Sequence, residues 1–311
     1  MDVKYINCKV LMLGVGLVAL SPIALPLPAT AQVQSAPLLY RLPVSVRAAA
    51  QGVHSTVARE PGDIWWNPAL AADVRGIGLS WGNYGVEGNI GSVTGAGDWG
   101  DFSVAISVRA ASYGLTDPFD TPGPSDAFSG GPFATSEIVG SAAVAREVGF
   151  LKLGVTGALI ERRVGASVAT AGSFGFGVLV DWLGLTWGGS VSNLGPSLNH
   201  DSVAIAQPTE FAVGVGLGTR PLGPLDISAF TSVVLLEKGA IVPEGGVEIS
   251  YWPIQGRTFL LRGGVRPATG GGEPSVLSFG VGFRADNVTF AYSSENHRGV
   301  AASHHFGVWW R

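Results

Sequence analysis

Ser278-Phe279-Gly280-Val281-Gly282-Phe283-Arg284 puts Phe279, Val281 and Phe283 on one face of an extended chain, and Ser278, Gly280, Gly282 and Arg284 on the other. Successive side chains of a strand alternate between faces, so a strict apolar/polar period of two marks a strand with one apolar side. The pattern returns in Asn287-Val288-Thr289-Phe290-Ala291-Tyr292-Ser293, with Val288, Phe290 and Tyr292 apolar. It returns again as Phe211, Val213, Val215 and Leu217 against Ala212, Gly214, Gly216 and Gly218, and as Phe102, Val104, Ile106 and Val108 against Ser103, Ala105, Ser107 and Arg109. A soluble sandwich shows such alternation in a few strands, rarely in nearly all of them.

Composition narrows the environment. Charged residues are 14% of the chain and mean hydropathy is +0.33, so the surface suits water poorly. Yet after the first thirty residues no stretch is apolar over the ~18 positions a membrane helix needs. A chain of this kind crosses a bilayer by closing its strands into a barrel. The expected fold is therefore all-β: a transmembrane antiparallel up-and-down barrel of about fourteen strands, with strand centres near residues 79, 90, 106, 142, 156, 178, 188, 214, 230, 249, 262, 280, 290 and 307. Short turns are expected at Val148-Gly149, residues 181–184, residues 252–256 and Ala285-Asp286, and longer connections at residues 114–135, 192–207 and 267–274.

The N-terminus reads as an export signal over residues 1–31: Lys4 and Lys9, an apolar core over residues 10–20, and Ala29-Thr30-Ala31 as the cleavage site. The lone cysteine, Cys8, lies within it, so the mature protein has no disulfide chemistry. Residues 32–74 lack strand alternation and form a separate N-terminal segment, leaving residues 75–311 for the barrel. The net charge of −4 has no basic block, which argues against nucleic acid as a partner.

Catalytic signatures are weak. His54, His200, His297, His304 and His305 show no metal-ligand spacing on a shared face, since His304 and His305 point to opposite sides of a strand. Gly214, Gly216 and Gly218 are better explained as small lumen-facing residues than as a dinucleotide fingerprint. Glu161-Arg162-Arg163 reads as a solvated loop edge, and no serine sits in a nucleophile elbow. No enzyme, metal or cofactor is expected.

The run Asp63-Ile64-Trp65-Trp66-Asn67-Pro68-Ala69-Leu70-Ala71 resembles the N-terminal signature of FadL-type outer-membrane proteins, especially of their PorV/PorQ branch. Asn193-Leu194-Gly195-Pro196 with the following Pro208-Thr209-Glu210-Phe211, and the strands around Arg262, Phe279 and His304-His305-Phe306, are similar to later parts of that branch. The resemblance implies a fourteen-stranded outer-membrane barrel whose N-terminal segment folds inward as a hatch, with Trp65, Trp66, Asn67, Pro68 and Ala69 at the plug and Asn193, Leu194, Gly195 and Pro196 as a family loop. It also implies contact with exported proteins or secretion components, as in type IX export. The alternatives are a FadL-like channel for small hydrophobic molecules and a secreted β-rich binding protein. Outer-membrane lipid is the expected surroundings in either membrane reading.

Overall fold

The computed structural model describes residues 36–52, 56–84, 88–113, 135–165, 167–200, 203–236, 239–267, 276–297 and 302–311. The expected export signal, His54 and most of the 114–135 connection lie outside the described residues. Strands β1 (Gly76–Tyr84), β2 (Gly88–Trp99), β3 (Phe102–Tyr113), β4 (Thr135–Val148), β5 (Leu151–Val164), β6 (Ser167–Trp182) and β7 (Leu185–Leu194) precede a small hairpin, β8 (Leu198–His200) and β9 (Val203–Ile205). Then follow β10 (Glu210–Leu222), β11 (Leu225–Leu236), β12 (Ile241–Ile254), β13 (Arg257–Arg266), β14 (Val276–Ala285), β15 (Val288–His297) and β16 (Ser303–Trp310).

All the strands pair antiparallel; β8 and β9 pair only with each other, and among the other fourteen β1 closes on β16 from Ile77 opposite Trp310 to Asn83 opposite His304. The result is a closed fourteen-stranded barrel. Closure pairs the backbone groups that an open sheet would leave bare at its edges, which is the condition for strands in a hydrocarbon layer. Every strand centre read from the sequence falls inside a barrel strand. The β8–β9 hairpin was not expected, because three-residue strands are too short to show a period.

The alternation sorts the side chains as the sequence implied. Val213, Phe279, Val281 and Phe290 are exposed on the outer wall, while Ser278, Thr289, Ser293 and Arg109 are buried within. At one end, consecutive strands join through two-residue turns, at residues 100–101, 149–150, 183–184, 223–224, 255–256 and 286–287. Gly149, Gly184, Gly223 and Gly256 take positive φ there, as do Leu183 and Asp286, which is the geometry that matches the twist of a tight hairpin. Exposed Trp99, Phe102, Phe150, Trp182, Trp252 and Trp310 ring this turn end, and Trp81, Phe211 and Phe306 lie toward the other, loop end. Two such belts flanking an aliphatic band suit the two interfaces of a bilayer.

One sequence reading is corrected. Glu161, Arg162 and Arg163 are not a loop edge but the last full turns of alternation in β5. Arg162 points inward and is buried beside Glu137 at 3.3 Å, while Glu161 and Arg163 pair outside at 2.7 Å.

Candidate functional site

Residues 36–52 and 56–74 lie against the inward faces of the strands. They form short turns of 3₁₀ helix at Leu38–Tyr40, Pro61–Trp65 and Pro68–Ala72, and one helix, α1 (Val46–Ala50). Ser45 starts α1 by accepting the N–H of Ala48 at 2.9 Å, and its own hydroxyl donates to Asp63 at 2.7 Å. Asp63 also accepts the N–H of Glu60, so one carboxyl ties α1 to the second turn.

Asn67 is extended, with φ −142°, and Pro68 follows as the first residue of the next turn, where its missing N–H costs nothing. The Asn67 side chain makes three hydrogen bonds: Nδ2 donates to the carbonyls of Thr56 at 2.9 Å and Val178 at 3.2 Å, and Oδ1 accepts from Ala69 N at 3.0 Å. It is fully buried. The wall makes room for it with glycine: a Cβ on Gly154 would lie 2.3 Å from Ala69 N, and one on Gly177 1.9 Å from Asn67 Oδ1. Trp65 stacks on Tyr40 with ring centroids 5.7 Å apart, and Trp66 and Ala69 are buried with it.

Three ionic groups fasten the segment to the wall. At the loop end, Glu137 accepts the backbone N–H groups of Leu38 at 3.0 Å and Leu39 at 2.8 Å, capping the first turn, and the hydroxyl of Tyr113 at 2.6 Å. On the opposite wall, Arg262 bridges Glu60 of the segment at 2.9 Å and Glu248 of β12 at 2.6 Å. At the turn end, Arg59 and Asp73 of the segment form a four-membered ring with Lys152 and Asp181 of the wall, with contacts of 2.6–3.0 Å. None of these wall residues was singled out as a segment contact from sequence. Their signal was a charge in the inward register of an otherwise apolar and small strand.

The Asn193 to Pro196 motif is not a free loop. Asn193 and Leu194 end β7, where Asn193 takes φ +60° as the strand bulges against β6. Asn193 Nδ2 donates to Pro208 O at 3.0 Å. Gln207 then joins the motif to the segment: Nε2 donates to Gly172 O at 2.8 Å and Pro196 O at 2.7 Å, and Oε1 accepts the hydroxyl of Tyr40 at 3.0 Å. Burial pushes the Tyr40 hydroxyl up to about 12, so it stays a donor at ordinary pH. The two motifs thus meet through Tyr40, which stacks on Trp65 at one side and reaches Gln207 at the other.

Two small cavities border the segment. A cavity of about 40 Å³ lies between the segment at Ser45, Glu60 and Gly62 and the small residues Ser80, Ser92 and Gly307, and a second of about 10 Å³ lies beside Trp65. Volumes of this size could admit water but not a hydrocarbon. Above Trp65, Leu38, Leu39, Tyr40, Leu42 and Trp66 of the segment and Tyr113, Ile160 and Leu198 belong to one buried apolar cluster, beside the buried charges Arg109, Glu137 and Arg162. His305 points inward to Glu295 at 3.2 Å, whereas His304 meets Tyr292 at 2.8 Å, so the adjacent pair divides between faces.

Solved structures share this architecture. The Ralstonia pickettii toluene transporter TbuX matches with a TM-score of 0.60 over 88% of this chain and 99% of that one, at 12% identity. The fold is that of the FadL-type outer-membrane barrels. The monoaromatic hydrocarbon channel CymD matches at 0.58 over 86% and 97%, with 9% identity, and a Pseudomonas aeruginosa FadL homologue at 0.53 over 85% and 97%, with 10% identity. No protein-family model matches the sequence, and no curated protein does. Among FadL-type barrels, the PorV/PorQ branch and the type IX export implied by the sequence resemblance gain no support from these neighbours.

Proposed function

We propose that the protein is a passive channel of the Gram-negative outer membrane for small hydrophobic molecules, with residues 36–74 as its plug and no catalytic step. The observation that carries this reading is the apolar, aromatic cluster inside the barrel above Trp65. A diffusion porin keeps a polar, water-filled interior. Here Ile90, Ala111, Val139, Ile160 and Ala169 on the inward faces of β2 to β6 pack under the segment, an apolar wall that its displacement would uncover. The FadL-type fold favours the same reading, and its neighbours TbuX and CymD are described as a toluene transporter and a monoaromatic hydrocarbon channel. Handling of exported proteins, the first expectation from the sequence, gives way to this alternative.

The test is uptake by intact cells, because the lipopolysaccharide leaflet, unlike a simple bilayer, slows hydrocarbons. Expression in a Gram-negative strain lacking such channels is expected to raise uptake of radiolabelled toluene without dependence on energy. Uptake equal to that of control cells overturns the proposal.

A further inference from the structure

Two wall charges on adjacent strands hold the first turn of the segment by its backbone. Glu137 on β4 accepts Leu38 N on one carboxylate oxygen and Leu39 N on the other, and Arg109 on β3 donates Nη2 to Leu42 O at 2.9 Å. The two charges are themselves neighbours: Arg109 pairs with Val139 and Ala111 with Glu137, which sets Arg109 and Glu137 diagonally on one inward face, within reach of two long side chains. In the docked state Arg109 is fully buried, and its Nε and Nη1 have no acceptor among the described residues. Helix α1 is seated differently, wedged into glycine. A Cβ on Gly264 would lie 2.0 Å from the Gln51 carbonyl carbon and one on Gly280 2.4 Å from the Ala50 Cβ, and Ser278 Oγ donates to Ala50 O at 3.0 Å.

The donors balance when residues 38–42 lift away. Glu137 loses two, one from each oxygen, and keeps the Tyr113 hydroxyl and Arg162; Arg109 gives up Leu42 O and has two idle donors to put in the vacated places. An arginine–carboxylate pair is charged on both sides and stronger than an arginine–carbonyl bond, whereas a buried charge stripped of its partner is strongly disfavoured. Resting on the channel reading for its purpose, we propose that Arg109 and Glu137 form an exchange latch: docked, each bonds the backbone of residues 38–42; released, each bonds the other, and the first turn swings away as a flap while α1 and the Asn67 turn stay seated. Burial of Leu38, Leu39, Tyr40 and Leu42 favours the docked state and the ion pair favours the released one, so the wall has two satisfied arrangements. What the flap uncovers is the apolar wall at Val139 and Ile160.

The test is thiol labelling of the full-length folded barrel in detergent. In a Cys8→Ala background, Leu39→Cys supplies a single thiol, and its rate of reaction with a maleimide, relative to that of the unfolded chain, reads how often the flap is released. Arg109→Gln can still donate to a carbonyl but cannot form the pair, so it is expected to slow labelling about tenfold, where a simple anchor would give no slowing. In Glu137→Gln the same Arg109→Gln change is expected to alter the rate less than about threefold, because the released state has no pair left to lose. Relief of a buried charge in the docked state alone would instead slow labelling there as much or more. Val46→Cys in α1 is expected to label at least about tenfold more slowly than Leu39→Cys. Heat-modifiable migration establishes that each variant is folded; where the Arg109 or Glu137 variants are not, the comparison of positions 39 and 46 decides alone. Equal rates at positions 39 and 46, unchanged or faster labelling in Arg109→Gln, or slowing that persists in Glu137→Gln overturns the latch. The rates are read without any permeant, so absence of toluene uptake removes the channel reading and not the exchange, and a failed exchange leaves the channel.

Discussion

Gly177 on the barrel wall is shaped to Asn67 of the inward segment: a Cβ at position 177 would lie 1.9 Å from Asn67 Oδ1, and the next residue, Val178, accepts the Asn67 amide at 3.2 Å. A side chain on one and a missing side chain on the other, 110 residues apart (177 − 67), form a single docking contact. Gly177→Ala is therefore expected to expel the Asn67 side chain while the β5–β6–β7 ladders persist. Folded, heat-modifiable protein with increased leakage of small solutes in liposome swelling is the expected result, and unchanged leakage would show that this contact does not hold the plug.

Removing the motif from the other side gives an independent reading. Asn67→Ala with Pro68→Ala deletes the three side-chain hydrogen bonds that Asn67 makes to Thr56 O, Val178 O and Ala69 N, at a cost of about 1–3 kcal/mol for each buried polar group left unpaired. The strands keep their own hydrogen bonds, so the barrel is expected to assemble and resist detergent until boiled, with liposome swelling faster than in the native protein. Failure to assemble would make the motif part of folding and not of gating.

The outer and inner faces differ in what they tolerate. Val213 and Phe279, 65% and 49% exposed, face lipid, and arginine at either is expected to cost about 2–4 kcal/mol of assembled barrel near the midplane. The alternation places Ser107 on the lumen face, where arginine is not expected to lower the yield of assembled barrel. In the structure Ser107 is 8% exposed and bonds Thr94 at 2.8 Å beside Trp65, so arginine there is expected to displace the segment and raise leakage without lowering barrel yield. Barrel yield and swelling rate, measured on the same three variants, separate the two effects.

Asp63 gives the segment a pH dependence. Burial, reinforced by the neighbouring Glu60 carboxylate, pushes its carboxyl up from 3.8 to about 7. A raised acid pKa means that the docked state holds the proton more tightly than the free chain, so its contribution is full below about pH 4 and is lost as pH rises through about 7. The docked segment is expected to resist protease better at pH 5 than at pH 8, and Asp63→Asn is expected to shrink that difference. A pH profile identical in native protein and Asp63→Asn would exclude Asp63 as its source.

The barrel was legible because a period of two is a local property: Phe279, Val281 and Phe283 declare their face without reference to any partner. The tight turns were legible for the same reason, through Gly149, Gly184 and Asp286. Asn67-Pro68 stood out as a local motif, but its partner Gly177 looked like any other glycine of a strand. The anchors were hidden because they are pairings across the fold: Glu137 meets Leu39 over 98 residues, and Arg262 meets Glu60 over 202. An inward charge such as Arg109 or Glu248 can be located by register, yet nothing local to it names its partner. The Glu161 to Arg163 run was misread because three charged residues together suggest solvent, whereas strand alternation splits them between a buried pair and an exposed one.

The central claim, passive passage of small hydrophobic molecules through this barrel, is tested most directly by uptake of radiolabelled toluene and arabinose in the same channel-deficient Gram-negative cells, with and without a protonophore. The account predicts that expression speeds toluene entry, that the protonophore leaves the rate unchanged, that arabinose entry stays at the control level, and that Gly177→Ala lets arabinose in. Toluene entry no faster than in control cells, or entry abolished by the protonophore, would contradict it.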